Sequence, residues 1–222
     1  MNRTSTIFLN LFIACAAALT IAGDQLHIPW LFYICKPLST ILILWIAFSN
    51  WRSQRDSYSL WITIGLSFSL LGDVALIRPW TYFVPGLLAF LFAHLAYLVA
   101  FTRDAKLFSR PIIVLYLAVA VAFYAFLFPD LPNGLRLPLA LYSPILSAMA
   151  AQAMVRFVTL RTSAARRAAI GGISFMVSDF LLSLNLFHAA LFAAAAFVLV
   201  PYYIAQWLMA SSTSECWVSA VS

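Results

Sequence analysis

Charged residues are scarce in this chain: Asp, Glu, Lys and Arg together make up 9% of its 222 residues, while 64% are hydrophobic. A water-soluble domain carries about 25% charged residues. So few charges cannot cover a surface that faces water, which excludes an ordinary soluble enzyme or binding domain. Acidic residues are the scarcer sign, 7 against 13 basic, giving a net charge of +6. In so apolar a chain that excess reads as membrane topology, and no nucleic-acid partner is expected. Cysteine is limited to Cys15, Cys35 and Cys216, the first two inside apolar runs. An odd, scattered set excludes a disulfide framework and suggests no metal site. There is no Gly-x-Ser-x-Gly elbow or other nucleophile signature, and no linker or soluble domain interrupts the chain.

What is present is apolar sequence in runs of spanning length. At about 20 residues per crossing, eight runs qualify, approximately 6–23, 28–49, 58–77, 81–101, 111–128, 137–157, 168–186 and 189–210. The expected fold is all-α: a polytopic membrane bundle of eight transmembrane helices forming one domain over residues 1–222. The N-terminal stretch, with Arg3 and then Ala22-Gly23, has a signal-like outline. Its apolar run of roughly 17 residues exceeds a usual signal core, so it is read as a retained first helix. Arg3, Arg52, Arg55, Arg103, Lys106, Arg110, Arg156, Arg161, Arg166 and Arg167 fall on one side of the membrane, and Arg78 and Arg136 on the other. The positive-inside rule then places both termini in the cytoplasm, as an even helix count requires. Trp30, Trp51, Trp61, Trp80, Trp207 and Trp217 sit near span ends, as interfacial belts do.

Against this background the informative residues are the ionisable ones inside spans. Asp73 lies in Gly65–Leu76, within the apolar run 58–77, where a central carboxylate costs about 2.5 to 3.5 kcal/mol on insertion scales. Nothing nearby in sequence offsets that cost, so the compensation must come from other helices. Lys36, His94 and Asp179 are the other intramembrane ionisable groups. At about 1.5 Å per residue, Lys36, Asp73 and Asp179 come out roughly 60%, 75% and 60% of the way across from the cytoplasmic side, with His94 nearer 35%. Tyr142 reaches the same outer level. One Lys and two Asp form a buried ion network that fixes packing, or a site where one carboxylate pairs with Lys36 and the second keeps a proton. The second arrangement supplies a general acid beside an anionic stabiliser. His94 and Tyr97 share a face of the fourth helix. His27 and His188 lie at helix ends away from His94, which argues against a three-histidine zinc site. Ser39, Thr40, Ser67, Ser69, Ser174 and Ser178 are read as small interhelical packing or hydrogen-bonding residues.

A short internal similarity accompanies these residues. SLLGDVAL around Asp73 matches FMVSDFLL around Asp179, each with a small residue before its Asp, and Pro37 and Pro144 precede the two acids at nearly equal spacing. Two parallel four-helix repeats are the corresponding architecture.

Taken in order, several segments resemble the YhhN-like lysoplasmalogenase family. They are Lys36-Pro37-Leu38-Ser39-Thr40, FSLLGD ending at Asp73, FLFAHLAY from Phe90 to Tyr97, Tyr142 with Met149-Ala150, GISFMVSD ending at Asp179, and PYYIAQWL from Pro201 to Leu208. The resemblance touches seven of the eight helices and adds nothing on the first. It implies an integral membrane hydrolase that cleaves the vinyl ether bond of lysoplasmalogens without a metal or other cofactor, giving a fatty aldehyde and glycerophosphoethanolamine or glycerophosphocholine. The partners it implies are the lysophospholipid substrate and membrane lipids, and the location is the inner (cell) membrane of a bacterium. Asp73 and Asp179 are the expected catalytic pair. Lys36, Tyr142, His94 and Tyr97 are expected to bind substrate or give electrostatic support. The competing readings are a small proton-coupled transporter using the same buried groups and a metal-dependent seven-helix lipid hydrolase, which the histidine depths disfavour.

Overall fold

A backbone crossing hydrocarbon must satisfy its own hydrogen bonds, so apolar runs of this length fold as helices. The computed structural model describes residues 3–105, 107 and 109–215. Lys106, Cys216 and Trp217 lie outside the described residues. Among the described residues, eight helices are long and apolar enough to cross a membrane: α1 (Arg3–Gln25), α2 (Pro29–Gln54), α3 (Ser57–Ala75), α4 (Pro79–Phe101), α5 (Arg110–Leu127), α6 (Asn133–Leu160), α7 (Ser163–Ser183) and α8 (Ala194–Ser211). The described residues contain no strand. The chain is an integral, multi-pass membrane protein.

Several helix ends differ from the boundaries that hydropathy suggests. Helix α1 covers Arg3–Gln25 and α6 begins at Asn133, four residues before the expected start. Both helices continue through polar residues that a hydropathy window rejects, because the backbone i to i−4 ladder does not depend on whether a side chain is apolar. Helix α8 starts late, at Ala194. The chain leaves α7 through a π turn, Leu184–His188, and the apolar residues 189–193, expected to open the eighth helix, are not helical and end on Ala193 in the left-handed conformation, φ 53°.

The two halves of the chain share a neighbour pattern. Contacts of α1 with α2, α2 with α3 and α3 with α4 recur as α5 with α6, α6 with α7 and α7 with α8. The packing of α4 on α6 recurs as α8 on α2. The turns that launch the two Asp-bearing helices are built alike. Helix α2 closes on Arg55 (φ 56°), whose N–H donates to Trp51 O, and α6 closes on Arg161 (φ 53°), whose N–H donates to Phe157 O. The next residue caps the following helix: Asp56 accepts from Ser59 N at 2.8 Å and Thr162 accepts from Ala165 N at 3.1 Å. Arg55 and Arg161 precede Asp73 and Asp179 by the same number of residues, so matched turns deliver the two acids to matched depths.

Small residues let the helices approach closely enough to fix that register. A Cβ at Gly72 would stand 2.6 Å from Cε2 of Phe90, and one at Gly172 would stand 3.1 Å from Cα of Ala150. At the end of the bundle that carries most of the arginines, Arg156 is buried and holds Asp104 with both Nε (2.8 Å) and Nη2 (2.7 Å). Its guanidinium lies 4.2 Å from the Tyr58 ring centroid, and Tyr58 Oη meets Ser212 Oγ at 2.7 Å. Together they pin the C-terminal turn to the bundle, far from the intramembrane acids.

Candidate active site

Prolines interrupt the helices beside the polar groups that matter. Pro37 follows Lys36, Pro144 lies two residues after Tyr142, and Pro201 precedes Tyr202. Each proline removes one backbone donor from its helix, so the backbone around these side chains is less completely paired than in the rest of its span. In hydrocarbon such a lapse is tolerated where the backbone is buried in protein or lines a cavity.

A cavity of about 240 Å³ is found at this level, toward the helix ends opposite the arginine-rich end. Lys36 from α2, Asp73 from α3, Asp179 from α7 and Tyr202 from α8 line it, with Phe32, Phe90, Leu182 and Val198 among its apolar walls. Asp24 stands at its exposed mouth, and Asn185 of the π turn reaches it from the other side. A smaller space of about 30 Å³, lined by Tyr142 and Asp179, lies alongside.

The two acids have different surroundings. Asp73 is 1% exposed. Its Oδ2 accepts from Thr40 Oγ1 at 2.5 Å and from Tyr202 Oη at 2.7 Å, while Oδ1 lies 3.9 Å from Lys36 Nζ. Lys36 is itself buried, with its Nζ 5.5 Å from the Phe32 ring centroid. Asp179 is half-buried and accepts on Oδ2 from Tyr142 Oη. No ion pair among the described residues includes Asp179. One acid therefore faces a cation and two hydroxyl donors, and the other a single phenol. Next to Asp179, Ser178 Oγ donates to Val198 O at 2.8 Å and ties α7 to α8 at the cavity wall.

Of the six residues singled out in the sequence, four meet here: Lys36, Asp73, Tyr142 and Asp179. The other two are placed differently. His94 is fully buried between rings, 4.6 Å from the Phe175 centroid and 5.3 Å from that of Tyr142, and both its nitrogens lack a hydrogen-bond partner. Tyr97 is also fully buried and meets Ser69 and Gln206. Neither lines the cavity. No group of three or more His, Cys, Asp or Glu able to hold a metal occurs among the described residues.

Tyr202 and Gln206 were not among the residues that sequence reasoning selected, and Thr40 was taken only as a small interhelical packing or hydrogen-bonding residue. Their signal is spacing: Lys36 and Thr40, and Tyr202 and Gln206, are polar pairs four residues apart on otherwise apolar helices. Residues so spaced share one face.

The profile of the YhhN family matches residues 31–213, which takes in everything from the first turn of α2 to the turn after α8. The chain belongs to the YhhN family. Curated relatives of this YhhN chain carry the name lysoplasmalogenase. Cattle (Bos taurus) lysoplasmalogenase TMEM86A is 33% identical over 161 residues, which is 69% of this chain and 65% of that protein. Rat (Rattus norvegicus) lysoplasmalogenase TMEM86B is 31% identical over 180 residues, 80% of this chain and 70% of that protein. Pig (Sus scrofa) lysoplasmalogenase TMEM86B is 29% identical over 206 residues, 92% of this chain and 84% of that protein. With the TMEM86A relatives of cattle and human the match spans a little under two thirds of their length. No solved structure matches the YhhN chain significantly.

Proposed function

We propose that this protein is a lysoplasmalogenase-like hydrolase, cleaving the vinyl ether of a single-chain alkenyl phospholipid to a fatty aldehyde and a glycerophosphodiester. The observation that carries the reading is that Asp73 and Asp179 line one cavity in unequal surroundings. A vinyl ether offers no carbonyl to a nucleophile. Its hydrolysis needs a proton delivered to the alkene carbon remote from oxygen, and then stabilisation of the oxocarbenium ion that results. Two carboxyls in different protonation states meet both demands, as in glycoside hydrolysis.

The surroundings suggest which carboxyl does which. Asp73, held by two hydroxyl donors and Lys36, is the carboxylate that stabilises the cation. Asp179, with one phenol and no cation, is the general acid. Its proton adds to the remote carbon, and the alkene electron pair forms that C–H bond. Water then adds to the oxygen-bearing carbon and returns a proton to Asp179. The hemiacetal collapses by cleaving its C–O bond, releasing aldehyde and the glycerol hydroxyl. Tyr142 orients Asp179, and His94 and Tyr97 support the site from behind its walls.

The cavity is below the about 300 to 1,000 Å³ of typical small-molecule sites. It fits a head group and the reacting bond, with the hydrocarbon tail left between helices or in lipid. With the arginine-rich end inward, the cavity opens toward the outer leaflet of a cell membrane, taken as the bacterial inner membrane. The matched halves are also an architecture of carriers, so the test must read chemistry. Purified protein is incubated with a defined 1-alkenyl lysophosphatidylethanolamine, with and without chelator. Release of fatty aldehyde that chelator leaves unchanged is expected. No release from ethanolamine or choline substrates would contradict the proposal and favour transport.

A further inference from the structure

Behind Asp73 runs a chain of hydrogen bonds that begins and ends on α3. Ser69 Oγ lies 3.3 Å from Tyr97 Oη; Tyr97 Oη donates to Gln206 Oε1 at 2.9 Å; Gln206 Nε2 donates to Tyr202 Oη at 2.9 Å; and Tyr202 Oη donates to Asp73 Oδ2 at 2.7 Å. Ser69 and Asp73 are one helical turn apart on α3, as Tyr202 and Gln206 are on α8. Ser69, Tyr97 and Gln206 are fully buried and Tyr202 is 4% exposed. Such an outlay of buried polar groups in a membrane bundle is not needed for packing, since apolar side chains of the same size would serve.

The chain has a direction, and Gln206 sets it. An amide accepts only at oxygen and donates only at nitrogen. With Oε1 on Tyr97 and Nε2 on Tyr202, the Tyr202 hydroxyl already holds one donated hydrogen, so its own hydrogen goes to Asp73. Every bond after Ser69 points the same way, and successive bonds polarise one another. A chain with all its hydrogens pointing at one oxygen stabilises negative charge there.

We propose that Tyr202, Gln206 and Tyr97 are positioning residues that hold Asp73 as a carboxylate, with Gln206 as the element that orients the chain. The inference deepens the hydrolase reading above, and its structural part stands apart from it. The groups facing Asp73 are Lys36 and Thr40 from α2 and Tyr202 from α8, with Asp24 of α1, Asp179 of α7 and the Phe90 ring of α4 on the same cavity and Tyr97 of α4 linked to Asp73 through Gln206 and Tyr202. Tyr202 therefore supplies one of the two hydroxyl donors on Asp73, and the only one fed by a chain.

The test compares Tyr202→Phe, Gln206→Glu and Tyr97→Phe in the purified full-length protein. Tyr202→Phe removes one oxygen and keeps the ring packed against Phe90 and Phe175. Gln206→Glu keeps size but replaces the donor with an acceptor that draws the Tyr202 hydrogen away from Asp73. Two readouts are taken at neutral pH. Infrared difference spectra against Asp73→Asn identify the Asp73 carboxyl as ionised or protonated, and kinetics follow aldehyde release from the 1-alkenyl lysolipid. The wild-type spectrum is expected to show an Asp73 carboxylate. Tyr202→Phe and Gln206→Glu are expected to convert it to the protonated acid, and Tyr97→Phe to do so in part. kcat should fall about 10- to 100-fold in the first two variants with KM within twofold, recovering as pH is raised. An Asp73 that stays ionised in both Tyr202→Phe and Gln206→Glu overturns the proposal. Conversion of the carboxyl with kcat unchanged, or with no aldehyde from the wild type, upholds the chain and overturns the hydrolytic role assigned to Asp73.

Discussion

Lys36 Nζ lies 3.9 Å from Oδ1 of Asp73, the oxygen that Thr40 and Tyr202 leave free. The carboxylate is thus divided between a cation on one oxygen and two hydroxyl donors on the other. At 3.9 Å and almost out of water, the pair adds little net stability, because desolvation offsets most of the attraction. On the proposed reading, its value is the charge it fixes beside the cavity. Lys36→Met removes that charge while keeping most of the side chain's volume. Weak activity that partly recovers as pH rises is the expected outcome, since Asp73 ionises again without its cation only when protons are scarcer. A pH–rate profile of the purified variant checks it. A loss confined to KM at every pH would instead assign Lys36 to the substrate phosphate.

Asp73→Asn and Asp179→Asn are each expected to lower turnover by about 100-fold or more, the scale of losing proton transfer or charge stabilisation. Both variants should remain folded in the membrane, because Asn keeps the shape and accepts the same hydroxyl donors. Size-exclusion profiles and initial rates of aldehyde release measure the two effects separately. Near-normal turnover in either variant would make that Asp structural.

Tyr142→Phe takes away the phenol that donates to Asp179 Oδ2 and leaves the ring against His94. The expected effect is a fall of about tenfold in kcat with thermal stability nearly unchanged, because a freed Asp179 no longer presents its proton in one direction. Paired kinetic and thermal-unfolding measurements check both halves of the expectation.

Gly72→Ala is expected to damage both stability and activity. The added methyl would meet Cε2 of Phe90 at 2.6 Å, an overpacking that costs about 1 to 3 kcal/mol, and Phe90 is a wall of the cavity. Gly134→Ala, with nothing within 4 Å of its added carbon, should be close to neutral. Thermal unfolding of the two variants side by side makes the comparison.

Asp104→Ala provides the opposite dissociation. It removes the carboxylate that the buried Arg156 guanidinium holds at the far end of the bundle, leaving the contact with Tyr58 in place. The loss is expected at about 1 to 2 kcal/mol: removing one partner of a fully buried pair costs about 3 to 5 kcal/mol, and the Asp104 side chain, 35% exposed, is partly screened by water. The unfolding temperature should fall while KM for the lysolipid stays put.

The architecture was largely legible from the scarcity of charge, because membrane spans have few backbone solutions. The matched Asp73 and Asp179 segments, with Pro37 and Pro144 at nearly equal spacing before them, also pointed to two similar halves. Depth counting brought Lys36, Asp73, Asp179 and Tyr142 to one level, since a helix rises evenly and only the rotation is left open. Rotation is where the reading from sequence stopped. Nothing in the chain says that Tyr97 turns toward Gln206 while His94 turns into rings. Tyr202 and Gln206 carried only the signal of their spacing, and that they meet α3 and α4 is something only the packed bundle specifies. The late start of α8 was illegible for a related reason: residues 189–193, after the π turn, are apolar, and hydropathy cannot tell such a stretch from a helix.

The most direct measurement is hydrolysis of a defined 1-alkenyl lysophosphatidylethanolamine in deuterated water, with the fatty aldehyde trapped at early times and its deuterium located by mass spectrometry. Proton delivery by Asp179 to the alkene carbon predicts one deuterium on the carbon next to the aldehyde group, and almost no aldehyde from Asp179→Asn. Aldehyde without deuterium at that carbon, or equal aldehyde from Asp179→Asn, would contradict the account.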